Sequence, residues 1–186
     1  MSQKDWELWF WKGELEKGAD SFLAQRELDW KTHLSKFPEM DNKKKILEVG
    51  TGLVSVFEFS GKKCVTIDPL QDEYLEMYKK PDAKVDYRKD WEGVAPESFD
   101  EVLCVNVIDH TPDPIGLLDR IKTALKPKGT LYFEVNFDGS LSPAHYGLWN
   151  PQVVEEHLKG FELVRSESEL NLGYNQTRYW AVYKKI

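Results

Sequence analysis

From residue 45 onward the chain alternates short β-branched apolar runs with segments of helical period. KILEVG (45–50), KCVTID (63–68), KVDYRKD (84–90), EVLCVNV (101–107) and TLYFEV (130–135) read as strands. The first, second, fourth and fifth are apolar at nearly every position, the pattern of a strand covered on both faces. Between them lie the helical segments DEYLEMYKK (72–80) and PIGLLDRIKTALK (114–126). In the latter, Ile115, Leu118, Ile121 and Leu125 recur at helical spacing, and Lys126-Pro127-Lys128-Gly129 is expected to stop the helix. Alternation of this kind predicts a parallel sheet with helices on both faces.

Both ends of the chain depart from that rhythm. NPQVVEEHLKG (150–160) predicts a short helix with Asn150 as N-cap and Pro151 at its first position. FELVRSESEL (161–170) and TRYWAVYKK (177–185) follow as strands separated only by NLGYNQ. So short a connection suits an antiparallel hairpin, because a parallel crossover needs a dozen or more residues. At the other end, Trp6, Trp9 and Phe10 fall at i, i+3 and i+4, and Leu23, Trp30, Leu34 and Phe37 form a later stripe. Two helices broken near Gly18 are expected, the second ended by Pro38. Such stripes read first as core and second as a lid or substrate wall. On this pattern residues 1–40 form a helical cap or lid and residues 41–186 the main domain.

Composition narrows the function classes. The 25 Lys and Arg against 32 Asp and Glu, a formal charge of −7, argue against a long phosphate-tracking surface, so no nucleic-acid partner is expected. Lys43, Lys44 and Lys45 read as the solvated start of a strand. Cys64 and Cys104 lie inside apolar runs and read as buried thiols rather than a disulfide or a metal site, which fits a cytoplasmic location. Glu7, Lys12 and Glu14 interrupt the aromatic N-terminus too soon for a membrane span, and none is expected.

The candidate chemistry begins at ILEVGTGLVSVFEF (46–59), an apolar run ending in the glycine pair Gly50 and Gly52. A dinucleotide fingerprint wants a third glycine at position 55, where this chain has Ser55. Glu48 precedes the pair, and Asp68, twenty residues beyond Glu48, closes the second strand in VTIDPL. An acid there can accept hydrogen bonds from two ribose hydroxyls. No Lys-Ser/Thr pair follows the glycines as a phosphate loop would require. A ribose without a pyrophosphate is the ligand these residues suit.

From about Lys45 to the C-terminus these residues resemble class I S-adenosylmethionine-dependent methyltransferases, whose first motif, E/D-x-G-x-G, is matched by Glu48, Gly50 and Gly52. The resemblance implies a Rossmann-like α/β fold, a doubly wound seven-strand sheet of order 3-2-1-4-5-7-6 with the last strand antiparallel, preceded here by extra N-terminal helices. It implies S-adenosyl-L-methionine as cofactor, held by Glu48, Gly50, Thr51 and Gly52 at the turn and by Asp68, Pro69 and Leu70 after the second strand. RKDWEGVAPESFDEVLCVN (88–106) resembles the third and fourth motifs, placing Asp90 on the adenine amino group and Trp91 beside the ring. NVIDHTPDP places Asn106 and Val107 at the methionine end and His110 at the substrate mouth. LKPKGTLYFEVN matches the following helix, turn and fifth strand, with Lys128 where many members have glycine.

Two histidines are the catalytic candidates. His110 could take a proton from a hydroxyl acceptor or hold its loop, and His145, in SPAHYGLWN, lies where the family often contacts its acceptor. No spacing fixes a metal geometry, and no metal is expected. DPLQDEY, NVIDHTPDP and HYGLWN are also similar to methyltransferase-domain proteins of bacterial surface-polysaccharide or glycan modification, which implies a sugar hydroxyl acceptor. The expected function is methyl transfer to a small-molecule or glycan acceptor at a hydroxyl. Two alternatives stand beside it: a nicotinamide-dependent oxidoreductase, and a non-catalytic protein that binds S-adenosylmethionine or a partner.

Overall fold

In the computed structural model, which describes residues 2–41, 43–60, 62–78, 84–137, 149–171 and 176–186, the apolar runs pair into one seven-stranded sheet. The strands are β1 (Ile46–Val49), β2 (Cys64–Ile67), β3 (Val85–Arg88), β4 (Phe99–Val105), β5 (Leu125–Phe137), β6 (Phe161–Asn171) and β7 (Gln176–Lys185). Their order is β3-β2-β1-β4-β5-β7-β6, as the resemblance implied. β1 to β5 run parallel, and β7 is antiparallel to both β5 and β6, so the short connection does make a hairpin.

Helices cover both faces. α4 (Pro114–Ala124) and α5 (Pro151–His157) bury Leu118, Ile121, Val154 and Leu158 against Leu47, Val102, Cys104 and Phe133 of the sheet. Asn150 and Asp113 cap these helices by accepting from Val153 N and Gly116 N, each with proline at the helix start. The opposite face shows Ile46, Leu103, Val105, Tyr132 and Trp180 to α2 (Ala19–Ser35) and the segment after it, which bring Trp30 and Phe37. Among the described residues between β1 and β2 the one helical element is a 3-10 turn, Val56–Glu58, so α2 supplies the helical cover there.

Two expectations are corrected. The first aromatic stripe lies on α1 (Gln3–Glu16), which buries no residue fully; Trp6 stacks on Phe10 at 5.5 Å and Trp9 is 63% exposed. Only the second stripe is core, through Trp30 and Phe37. The physical reason is position, because α2 packs on a sheet face while α1 crosses the ends of the strands. Second, Lys126-Pro127-Lys128-Gly129 is not a turn outside the sheet. α4 stops at Ala124 and β5 starts at Leu125, its register with β4 shifting between Phe99 and Glu101. Lys128 takes a left-handed φ of 63°, the conformation for which a glycine would be suited.

α3 (Gln71–Met77) follows β2 and joins α1 and α2 around a third cluster of Phe22, Leu53, Val54 and Tyr74, against which Leu8 and Trp11 pack. This cluster lies beside the glycine turn. No helix among the described residues is long and apolar enough to cross a membrane.

Candidate active site

The turn after β1 is built by its two glycines. Gly50 has φ 72° and Gly52 φ 58°, both in the left-handed region. A Cβ on Gly50 would lie 2.3 Å from Val107 Cγ2, and one on Gly52 would lie 3.0 Å from Trp11 Cζ2. The backbone is thus pressed between the loop after β4 and the N-terminal helix. Thr51 is buried between the glycines, its hydroxyl donating to Gly52 O at 3.0 Å.

Ser55, which stands where a dinucleotide site has glycine, has its own task. Its hydroxyl donates to Glu48 Oε2 and accepts from Phe57 N at 3.1 Å, capping the 3-10 turn. Glu48 is buried, and its Oε1 accepts from Val56 N at 3.2 Å. The first-motif acid therefore braces its own loop. Ser55→Ala is expected to cost about 1–3 kcal/mol of stability, since it removes a partner of a buried carboxylate and a cap together. Urea unfolding measures this, and a loss below about 0.5 kcal/mol would remove Ser55 from the account.

Asp68 closes the other side of the turn. It is buried, with Oδ2 accepting from Gly52 N at 2.9 Å and Oδ1 from Leu70 N at 3.0 Å. Pro69 beside it is exposed, and Leu70 opens α3. Next to them Gln71 is buried, with no hydrogen-bond partner at Nε2 among the described residues. Burial pushes the Tyr74 hydroxyl well above its ordinary pKa, and the charges of Asp68 and Glu7 push it the same way. A glycine cradle, an acid beside it and a buried amide donor fit a nucleoside with a ribose to be held.

The remaining predicted residues divide. Val107 reaches the turn through Gly50, and Asn106, at φ 55°, accepts from Asn136 Nδ2 of β5 at 2.5 Å. Asp90 is exposed and turns Oδ1 onto Glu92 N at 2.8 Å, while Trp91 packs, partly buried, on the α4 side of the core. His110 ends a 3-10 turn, Ile108–His110, with Nδ1 3.5 Å from Glu7 Oε1 and Nε2 3.9 Å from Asp109 Oδ2. His145 lies outside the described residues.

Residues of α1 also reach this edge of the sheet, and sequence reasoning did not single them out. Gln3 donates to the His110 carbonyl, Lys4 pairs with Glu73 of α3, Glu7 approaches His110, and Trp11 covers Gly52. The helix thus bridges the carboxyl ends of β1, β2 and β4. Its only signal in the sequence was an aromatic stripe.

Residues 22–172 match the family model described as a methyltransferase domain. The ubiquinone biosynthesis O-methyltransferase of Actinobacillus pleuropneumoniae is 30% identical over 105 residues, which are 48% of this chain and 44% of that protein. That of Idiomarina loihiensis is 27% identical over 143 residues, 66% of this chain and 58% of that protein. The chain thus spans only about half the length of these curated relatives. Among solved structures, Haemonchus contortus phosphoethanolamine N-methyltransferase 2, in complex with S-adenosyl-L-methionine, superposes at a TM-score of 0.64 with 20% identity, over 84% of this chain and 52% of that one. A (4+2)-cyclase superposes at 0.65 with 12% identity, over 86% and 80%. These likenesses show the shared fold, which can host more than one chemistry.

Proposed function

The chain belongs to the methyltransferase-domain family and has the class I S-adenosylmethionine-dependent methyltransferase fold, and from that premise we propose that it transfers the methyl group of S-adenosyl-L-methionine to a hydroxyl of a small-molecule or glycan acceptor. The observation that carries this reading is the glycine turn pressed under the carboxyl edge of the sheet, with the Asp68 carboxylate on Gly52 N. The hydroxyl is supported by the relatives that are O-methyltransferases. A nicotinamide reading is disfavoured by the antiparallel β7 and by Ser55, which serves Glu48 and the 3-10 turn.

The cofactor, when bound, supplies an activated sulfonium methyl for in-line displacement. Asp68 binds the ribose, since a carboxylate has about four acceptor sites, more than two N–H donors fill. The Gly50–Gly52 backbone, braced by Glu48, allows close approach, with Thr51, Pro69 and Leu70 beside it. Asp90 and Trp91 take the adenine, and Asn106 and Val107 take the methionine end. α1 acts as the lid, latched through Lys4 to Glu73 and through Gln3 to the His110 carbonyl. His110 holds this latch at the acceptor mouth, and His145 is kept as an acceptor contact.

Calorimetry against S-adenosylhomocysteine and NAD, with a methyl-transfer screen of phenols, glycans and sugar nucleotides read by product mass, tests the reading. Binding of S-adenosylhomocysteine but not NAD is expected, and the reverse would overturn it. Asp68→Ala is expected to weaken S-adenosylhomocysteine binding by about 1.5–3 kcal/mol, roughly ten- to a hundredfold, through lost charge-assisted hydrogen bonds. Unchanged affinity in that variant would move the ribose elsewhere.

A further inference from the structure

On the α2 side of the sheet, near the carboxyl ends of β4 and β5, an imidazole and a buried carboxylate come together from positions 101 residues apart. His33, in the last turn of α2, brings Nδ1 to 2.8 Å from Glu134 Oε2. Glu134 stands opposite Val105 in the β4–β5 register, and its side chain is 1% exposed, against 16% for His33. Arg178 of β7 approaches its other oxygen, Oε1, at 3.3 Å. The imidazole packs, tilted, on both Trp30 and Trp180, with ring centroids 5.1 Å away in each case. Lys36, which lies 5.8 Å over the Trp180 ring, is engaged by Glu167 and Glu169 of β6.

A polar pair buried against a sheet is a poor way to gain stability, because apolar residues of the same volume serve as well or better. Its chemistry is more distinctive. A carboxylate on Nδ1 fixes the tautomer and ring orientation of a histidine and directs Nε2 to accept a proton. The dyad is also tied to the cofactor end of the sheet. The Glu134 carbonyl accepts from Asn106 N at 3.2 Å, and Asn136, two residues further along β5, binds the Asn106 side chain. His110, in contrast, has a carboxylate near each ring nitrogen.

We propose that His33, oriented by Glu134, takes the proton of the acceptor hydroxyl on the α2 side of the sheet at the carboxyl ends of β4 and β5; this rests on the hydroxyl-methylation reading above. As the acceptor oxygen bonds to the methyl carbon and the carbon–sulfur bond breaks, the hydroxyl proton moves to His33 Nε2. Glu134 stabilises the imidazolium as a positioning residue, and the proton then leaves to water. The products are the methyl ether, S-adenosylhomocysteine and one proton.

The test uses the full chain saturated with S-adenosylhomocysteine and 4-nitrophenol as the hydroxyl probe, whose anion is read by its visible absorbance across a pH series. The bound probe is expected to ionise more readily than the free one by about tenfold, and His33→Gln to abolish that gain while leaving S-adenosylhomocysteine affinity within about twofold. Glu134→Gln, which keeps the shape, is expected to remove part of the gain and shift its pH midpoint, which a purely structural role would not do. It also carries the test if the melting temperature shows that His33→Gln has lost its fold. No ionisation gain in the wild type, or a gain that survives both variants or disappears only in His110→Gln, would overturn the proposal. Failure of the wild type to bind S-adenosylhomocysteine would instead overturn the methyltransferase reading itself.

Discussion

Gly50→Val is expected to abolish detectable S-adenosylhomocysteine binding, a loss of at least about a hundredfold, and to destabilise the fold by about 2–5 kcal/mol. The position has φ 72°, where a branched residue is strained by about 1–2 kcal/mol. Its Cβ would also lie 2.3 Å from Val107 Cγ2 and 2.6 Å from Cγ1, contacts that cannot persist. Either the turn or the Asn106–Val107 segment must move, and both are assigned to the cofactor. Calorimetry with chemical unfolding on the same variant measures the two effects. Wild-type affinity in a folded Gly50→Val protein would show that this turn is not the cofactor site.

Trp30→Ala is expected to cost about 3–5 kcal/mol, enough to exhaust much of the stability of a domain this size. Trp30 is 6% exposed and fills the space between α2, Val56 and Val105. Its indole Nε1 donates to Val54 O at 3.1 Å, so truncation also leaves a carbonyl of the loop after the glycine turn without that donor. Trp30→Phe keeps most of the packing and loses the hydrogen bond, so a smaller loss is expected. Equal stability of Trp30→Ala and wild type in urea would mean that α2 is not part of the main core.

The buried strands and the terminal hairpin were legible because their evidence is local, whereas the order of the sheet followed from the family resemblance. Four of the first five strands are apolar at nearly every position, so burial on two faces follows from composition, and the six-residue stretch NLGYNQ before the last strand suits a hairpin. The glycine turn was legible for the same reason, as Gly50 and Gly52 both take the left-handed angles that glycine favours. The helical stripes were legible only as faces. Trp6, Trp9 and Phe10 show that α1 has an apolar side, but nothing in their spacing says whether a sheet or a cleft receives it.

Period, chirality and chain connectivity over a few residues thus set the elements, the terminal hairpin, and the glycines and acids at the carboxyl edge, while the strand order came with the family resemblance. The tertiary structure alone decided which distant groups meet. It carried Gln3 and Glu7 to His110 after β4 and Trp11 onto the glycine turn after β1, and it joined His33 to Glu134. Those meetings depend on how α1 and α2 pack on a sheet assembled from residues far along the chain, and a side chain's partner across that distance leaves no trace in local pattern.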